Sequence, residues 1–456
     1  MPSTTPTTNA SSIRAGFSSR LGFILAAAGS AVGLGNIWSF PTQVAENGGA
    51  AFVLVYLLLS LGLAYPVLVA ELLIGRYQQR DPVTALEQLS NRTVIQHFSR
   101  IIGIAAVFFV CLIFCFYSIV SGWLLGFTLS PVINSLGFEE TSQWLTSFSP
   151  ASNWLLALVF IVLTYSVVVG GVKKGIERWS SRLMPLLVLL LVGLILSMLK
   201  QDGAMEGLQH YLLPDFDRID SQLVMRALGQ SFFSMSLGVG VMIVYGSYLN
   251  RDTNLPVTAL QVCLMDTGIA FLAGLLIVPA LFVAQHSGIT IFSADGQLAS
   301  SDTLVFQVLP ALFNNMGVSG SVVALAFFTL MSIAALTSSI SMLEAPVASL
   351  TERMGMTRKK ATRLISLVVM LLTTIVVFNF DPLFSFIVTL TTQYAQPINS
   401  LLFCLFAGWL ISRNQKLKEI KNGWPEAENS LFWKIWPWYI KVVCPILIAA
   451  IILSNF

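Results

Sequence analysis

Charge is what this chain has least of: Asp, Glu, Lys and Arg together make up 10% of its 456 residues, and mean hydropathy is +0.79. So little charge cannot cover a soluble domain of this size, and an integral membrane protein is what remains. Histidine is scarcer still. The three histidines, His97, His210 and His286, sit in loops or near the ends of apolar stretches, which argues against an intramembrane histidine relay. The five cysteines (Cys111, Cys115, Cys263, Cys404, Cys444) all lie within apolar stretches, two of them four residues apart. A metal pair is the minor alternative there to buried packing thiols. No His-based metal motif, no nucleophile with a base nearby and no phosphate loop occurs, so an enzyme is not expected. Nor does a short apolar region with a small-residue cleavage site precede the first stretch, so no removable signal peptide is expected.

Long apolar runs, by contrast, are abundant. Stretches able to cross a bilayer run at about 18–40, 49–74, 101–130, 153–170, 183–199, 224–249, 257–285, 318–350, 362–379, 383–411 and 435–454, which makes about eleven spans. Lys and Arg are retained on the cytoplasmic side. With the N-terminus inside, Arg14, Arg76, Arg80, Lys173, Lys174, Arg358, Lys359 and Lys360 fall on inner segments, and only Lys200, Arg218 and Arg226 fall outside. An odd number of spans then puts the C-terminus outside. The net charge of +3 reflects this topology and implies no nucleic-acid partner. Between the seventh and eighth spans, within 286–317, the partly apolar stretch 302–309 reads either as an outer re-entrant or lid helix or as a helix on the membrane surface.

Two spans carry glycines where a continuous helix should not. Gly29-Ser30-Ala31-Val32-Gly33-Leu34-Gly35-Asn36 interrupts the first, and Ser234-Met235-Ser236-Leu237-Gly238-Val239-Gly240 interrupts the sixth. A broken helix survives in hydrocarbon only where the freed backbone groups line an enclosed cavity. Two such breaks in corresponding halves point to a secondary transporter with substrate and ions at the midplane. Glu71, Asp266 and Glu344 are the deep ionisable residues, each needing a partner or a proton at a cost of roughly 2.5–3.5 kcal/mol. No Lys or Arg is expected at similar depth, which makes a bound hard cation the partner of choice for Asp266. Thr337-Ser338-Ser339 is a second polar cluster, able to close an oxygen cage with the first break or simply to bond back to the preceding turn.

Several motifs resemble those of the neurotransmitter:sodium symporter family. They are Arg20-Leu21-Gly22 through Ile37-Trp38, Phe40-Pro41, Glu46-Asn47-Gly48-Gly49-Ala50-Ala51-Phe52, Lys174-Gly175-Ile176-Glu177-Arg178-Trp179, Gly229-Gln230-Ser231-Phe232-Phe233-Ser234 and Leu336-Thr337-Ser338-Ser339. The likeness covers nearly the whole chain and is closest to bacterial eleven-span sodium-coupled amino-acid transporters. It implies an all-α membrane protein with a five-plus-five inverted repeat of the LeuT type and discontinuous helices 1 and 6. The parts would be a cytoplasmic tail (1–17), repeat one (18–200), an extracellular loop (201–223), repeat two (224–412), a cytoplasmic loop (413–434) and an eleventh span (435–456). The cell inner (plasma) membrane is the expected location, as monomer or weak dimer.

The resemblance also implies two Na⁺ sites. The first falls on Ala31, Asn36, Ser234 and Asp266, completed by the substrate carboxylate. The second falls on the Gly29, Val32 and Ala334 carbonyls with the Thr337 and Ser338 hydroxyls. Substrate would contact Ser30, Ala31, Leu34, Gly35, Ile113, Tyr117, Phe233, Ser234, Ser236, Val239, Ser338 and Met342, with Tyr117 on its carboxylate and Phe233 as a roof. Gly33 leaves room for that carboxylate, which favours an α-amino acid over a decarboxylated amine, and a side-chain subsite without charged residues fits a neutral, apolar or aromatic side chain best. At the family's chloride site this chain has Tyr56, Gln230, Ser234, Ala270 and Asp266, and the fixed charge of Asp266 makes chloride unnecessary. The family's outer Arg–Asp pair is replaced by Ser39 and, by spacing, Val388. Closure there is expected to rest on Tyr117, Phe233, Gln43 or Gln393. The inner gate matches Arg14, Tyr248 and Glu352, and Gly175 with Pro185 keep the family's spacing for unwinding of the fifth span. A carrier of another small zwitterion and a transport-incompetent sensor are the alternatives.

Overall fold

The computed structural model describes residues 16–289, 291, 304–316 and 318–454. Arg14, Asp295 and Asp302 lie outside them, as does most of the expected tail. Helix accounts for 84% of the structure, and no strand occurs among the described residues. Helix is the local solution for such apolar sequence because each backbone polar group is then satisfied within its own segment.

Span 1 comprises Arg20–Ala31 and Gly35–Glu46, which meet at 55°. Spans 2 to 5 are Ala50–Gln78, Thr93–Ser135, Pro150–Val168 and Val172–Met198. Span 6 is Ser221–Ser234 and Val241–Ser247, and span 7 is Leu255–His286. Spans 8 to 11 are Val318–Arg353, Arg358–Phe378, Phe380–Leu410 and Leu431–Ala450. Among the described residues, eight helices are long and apolar enough to cross a membrane alone, and ten if two bent pairs each count as one. Span 6 fails that test because its halves hold only 14 and 7 residues, and it brings the number to eleven. Leu189, Leu371 and Ile446 point outward from spans 5, 9 and 11 and are exposed, as side chains facing lipid are.

Both interruptions occur where the glycines foretold them. In span 1 the helix ends at Val32 (φ −67°, ψ 111°) and resumes at Gly35 in a π-helical turn. In span 6 the chain between Ser234 and Val241 is non-helical, with Gly238 (φ 78°), Gly240 (φ 74°) and also Ser236 (φ 52°) left-handed. A serine in that region is strained, and such strain persists only where its surroundings over-determine it.

Span 3 is longer than the sequence implied. It runs 43 residues instead of about 30, some 65 Å at ~1.5 Å per residue, about twice the ~30 Å of a hydrocarbon core. Span 8 lies along it, and span 2 lies along the second half of span 6. The described part of the segment before span 8 is a π-helical turn (Leu304–Val308) leading into Leu309–Asn315. Its Val305, Phe306, Leu309, Leu312 and Phe313 are buried in the protein, which favours the tucked-in lid over the surface helix.

Candidate functional site

The two breaks face each other, and their freed backbone is tied together by a buried polar network. Asn36 spans it: its Oδ1 accepts from the Gly33 N–H (3.0 Å), while its Nδ2 donates to Ser234 Oγ (2.9 Å), Asp266 Oδ1 (2.7 Å) and the Asp266 carbonyl (3.1 Å). Ser234 Oγ in turn donates to Asp266 Oδ2 (2.8 Å) and accepts from Tyr56 OH (3.3 Å). Asp266 is fully buried, yet no cationic side chain among the described residues pairs with it. Gln230 closes the network, donating to the Gly35 carbonyl (2.8 Å) and accepting from Ser39 Oγ (2.8 Å). The apolar Ala270 is buried one turn along span 7 from Asp266.

A second set of oxygens gathers on the other side of the span 1 break. Ser338 Oγ lies 2.9 Å from the Val32 carbonyl, 3.1 Å from that of Ser30 and 3.4 Å from that of Gly29. Thr337 Oγ1 lies 3.0 Å from the Ala334 carbonyl and 3.2 Å from that of Ile333. Thr337 thus bonds back to its own helix, whereas Ser338 reaches across to the span 1 break. Hydroxyl and carbonyl oxygens are the ligand type a hard cation takes.

Between these sets lies a cavity. Its walls include Ala31, Gly33, Leu34, Gly35, Ile113, Tyr117, Phe233, Ser236, Val239, Ser338 and Met342. A Cβ on Gly33 would stand 2.5 Å from Ser338 Oγ and 2.7 Å from Tyr117 OH, so only glycine fits there. Tyr117 OH also accepts from the Leu34 N–H at 3.4 Å. Phe233 lies against Gly35, where a Cβ would approach its ring to 3.2 Å. Ser30 and Ser234, expected on the substrate, do not line the cavity: Ser30 Oγ donates to Ser341 Oγ (2.7 Å) and Ser234 belongs to the Asp266 network. Val110, Val241 and Gln396 line it without having been expected. Gln396, polar in an apolar span and next to Pro397, was the one with a readable signal.

The mouth rich in basic residues is closed by ion pairs. Arg358 forms a bidentate pair with Glu344, one bond at 3.1 Å, and Tyr248 OH donates to Glu344 Oε1 (2.7 Å). This corrects the expectation that no basic group reaches Glu344: Arg358, though 14 residues on and past a turn, folds back along span 8. Glu352 accepts from Arg80 (2.9 Å) and from the Asp81 N–H (2.8 Å). Burial, reinforced by Glu352, pushes the Asp81 carboxyl above the usual carboxylate range. Glu177, the last residue of the π-helical turn Val172–Glu177, accepts from Ser18 N–H (2.8 Å), Ser18 Oγ (2.5 Å) and Ser19 Oγ (3.3 Å) and packs against Gly22. It thereby latches the start of span 1 to the start of span 5. Charge-assisted bonds of this kind contribute about 1.5–3 kcal/mol each. In Glu177→Ala, amide hydrogen exchange at residues 18–24 should quicken by at least about tenfold while span 3 amides hold. Equal protection in both proteins would refute the latch.

The opposite mouth has rings in place of charges. Phe306 contacts Trp38 (6.2 Å between centroids), Trp123 (5.5 Å), Phe127 (5.5 Å) and Phe148 (6.1 Å). Trp123 also meets Phe380 (6.1 Å) and Phe384 (6.0 Å) at the start of span 10. Gln43 is engaged with Asn47, which Arg226 also reaches (2.8 Å), and Gln393 is exposed. Among the described residues no cluster of His, Cys, Asp and Glu could hold a metal, and all five cysteines are free and buried.

The sequence profile of the Sodium:neurotransmitter symporter family matches residues 14–154 and 146–456. The sodium-dependent transporter YhdH of Bacillus subtilis is 34% identical over 453 residues, covering 96% of this chain and 97% of its own. A sodium-dependent transporter of Haemophilus influenzae is 34% identical over 96% of the chain and 97% of its own, and the human sodium- and chloride-dependent GABA transporter 2 is 28% identical over 61% of the chain and 52% of its own. The crystal structure of MhsT in complex with L-phenylalanine superposes with a TM-score of 0.83 at 34% identity, covering 97% of this chain and all of that one. With the paired breaks and an all-helical LeuT-type fold, these findings establish that the chain belongs to the sodium:neurotransmitter symporter family, a family of secondary transporters and not of enzymes.

Proposed function

We propose that the chain uses Na⁺ to drive uptake of neutral, hydrophobic or aromatic amino acids by alternating access, without chloride. The observation that carries this reading is Asp266, a fully buried carboxylate oriented by Asn36 and Ser234 with no basic partner among the described residues. A charge so placed is too costly to leave uncompensated. In this reading one Na⁺ takes Asp266, Ser234, the Ala31 carbonyl and Asn36 through its Oδ1, which in the structure accepts from the Gly33 N–H. The Gly29, Val32 and Ala334 carbonyls with Thr337 and Ser338 serve a second. Bound beside Asp266, Na⁺ supplies the positive charge that both Asp266 and the substrate carboxylate require.

The rest is the work of the chain's own groups. Tyr117 OH and the amides at the span 1 break hold the carboxylate beside Gly33, where a larger residue would strike Tyr117 and Ser338. Val110, Ile113, Val239 and Met342 offer an apolar bed for a side chain, in keeping with the L-phenylalanine held by MhsT. Where the family's chloride would lie, among Tyr56, Gln230 and Ser234, the fixed charge of Asp266 repels an anion. The asymmetry of Lys and Arg supports an N-terminus inside and a C-terminus outside.

A thermal-shift screen of the twenty amino acids with and without Na⁺ tests this. A ligand at a hundred times its Kd stabilises by about 2.7 kcal/mol, a rise of several degrees. Phenylalanine, leucine and tryptophan should raise Tm only when Na⁺ is present, with chloride replaced by gluconate making no difference. Equal shifts in Na⁺ and in K⁺ would refute the coupling.

A further inference from the structure

The loop between the halves of span 6 is backed by a polar layer that this function leaves unused. The Gly238 N–H donates to Glu71 Oε1 (2.8 Å), and Gln396 Nε2 donates to the Leu237 carbonyl (3.4 Å). A Cβ on Gly238 would strike the Gln396 carbonyl and stand 2.5 Å from Ser400 Oγ, so spans 2 and 10 converge on this one stretch of chain. Four side-chain atoms here are buried without a hydrogen-bond partner: Glu71 Oε2, Gln396 Oε1, Asn399 Nδ2 and Ser400 Oγ. Buried polar atoms are paired in the great majority of cases, so four orphans in one layer call for an explanation.

Gln396 connects this layer to the cavity. It is 4% exposed and lines the ligand cavity beside Val239 and Val241, whereas Glu71, Asn399 and Ser400 lie behind the loop and do not. Its Nε2 is committed to the Leu237 carbonyl, which fixes the amide's orientation and leaves Oε1 as a pure acceptor. Apolar Val110, Ile113, Val241 and Met342 share that cavity wall with Gln396, and its Oε1 has no hydrogen-bond partner.

We propose that Gln396 is the polar end of the side-chain subsite, accepting a hydrogen bond from an N–H or O–H at the far tip of the substrate's side chain. The preferred cargo is then an amino acid of the indole or phenol type, ahead of its plain hydrocarbon counterpart. This rests on the amino-acid reading above and narrows it. A site built to bond a donor discriminates against an analogue without one, because its own buried group is then left unpaired.

The test uses purified full-length protein in saturating Na⁺ and competition binding of L-tryptophan, 1-methyl-L-tryptophan, L-tyrosine and L-phenylalanine. Tryptophan should bind about fivefold or more tightly than its 1-methyl analogue, and tyrosine than phenylalanine, the size of one net hydrogen bond. In Gln396→Met both gaps should shrink to about twofold or less. Equal affinities within each pair in the wild-type protein overturn the proposal without any variant, and gaps that persist in Gln396→Met overturn it as well. If none of the four ligands binds in Na⁺, the amino-acid reading itself fails and takes this one with it, whereas good binding with no donor preference leaves that reading standing.

Discussion

Concentrative uptake is expected to collapse when Thr337 and Ser338 are both replaced by alanine, while the protein continues to reach the membrane. Ser338 Oγ touches three carbonyls of the span 1 break, and Thr337 Oγ1 touches two of its own helix. Losing two neutral hydrogen-bonding groups costs about 1 kcal/mol each in stability, which a membrane protein of this size survives. Losing an ion site costs far more in work. Each Na⁺ crossing ~100 mV contributes about 2.3 kcal/mol, so two ions sustain a gradient of roughly two-thousandfold and one ion only about fiftyfold. Steady-state accumulation in proteoliposomes should therefore fall to about fiftyfold or less. Wild-type accumulation with unchanged Na⁺ affinity would reduce these hydroxyls to helix glue.

Asp266→Asn should produce the second large effect and change the identity of the ions used. The amide preserves the shape of the side chain between Asn36 and Ser234 but removes the only fixed charge in that network. At a few ångströms even a screened charge is worth several kcal/mol to a cation, so Na⁺-dependent substrate binding should weaken by at least about tenfold. Tyr56, Gln230 and Ser234 then surround a neutral group, and an anion is no longer repelled. Binding by the variant should be restored in part by chloride and not by gluconate. Unaltered Na⁺ affinity together with indifference to chloride would contradict the role given to Asp266.

What could be read from sequence was whatever the backbone forces into view. Gly33, Gly35, Gly238 and Gly240 sit where hydrocarbon tolerates no loose amide, so both breaks were legible to within a residue or two, and Asn36, Asp266 and Ser338 stood out as polar groups in apolar spans. The geometry between those groups was less accessible. Arg358 was read as one more inner-surface charge because its chain position is past the end of span 8, yet a long side chain can reach back to Glu344. Gln396 was passed over, although it is a polar residue in an apolar span beside Pro397. Val110 and Val241 look like any other apolar residue, and which face of a helix meets a cavity is decided by neighbours remote in sequence. Phe306 was hidden in a loop whose composition favoured neither of two placements.

The layer of rings around Phe306 gives the two mouths of this protein different thermodynamic characters. The mouth held by Arg358–Glu344, Arg80–Glu352 and the Glu177 latch is governed by ions and dipoles, and its partly exposed pairs weaken as salt screens them. The mouth held by Trp38, Trp123, Phe127, Phe148, Phe306 and Phe384 closes by removing apolar surface from water, which charge screening does not weaken and which loses force on cooling. Salt and cold therefore push the resting distribution of conformers in opposite directions. Salt eases the basic side open, and low temperature eases the aromatic side.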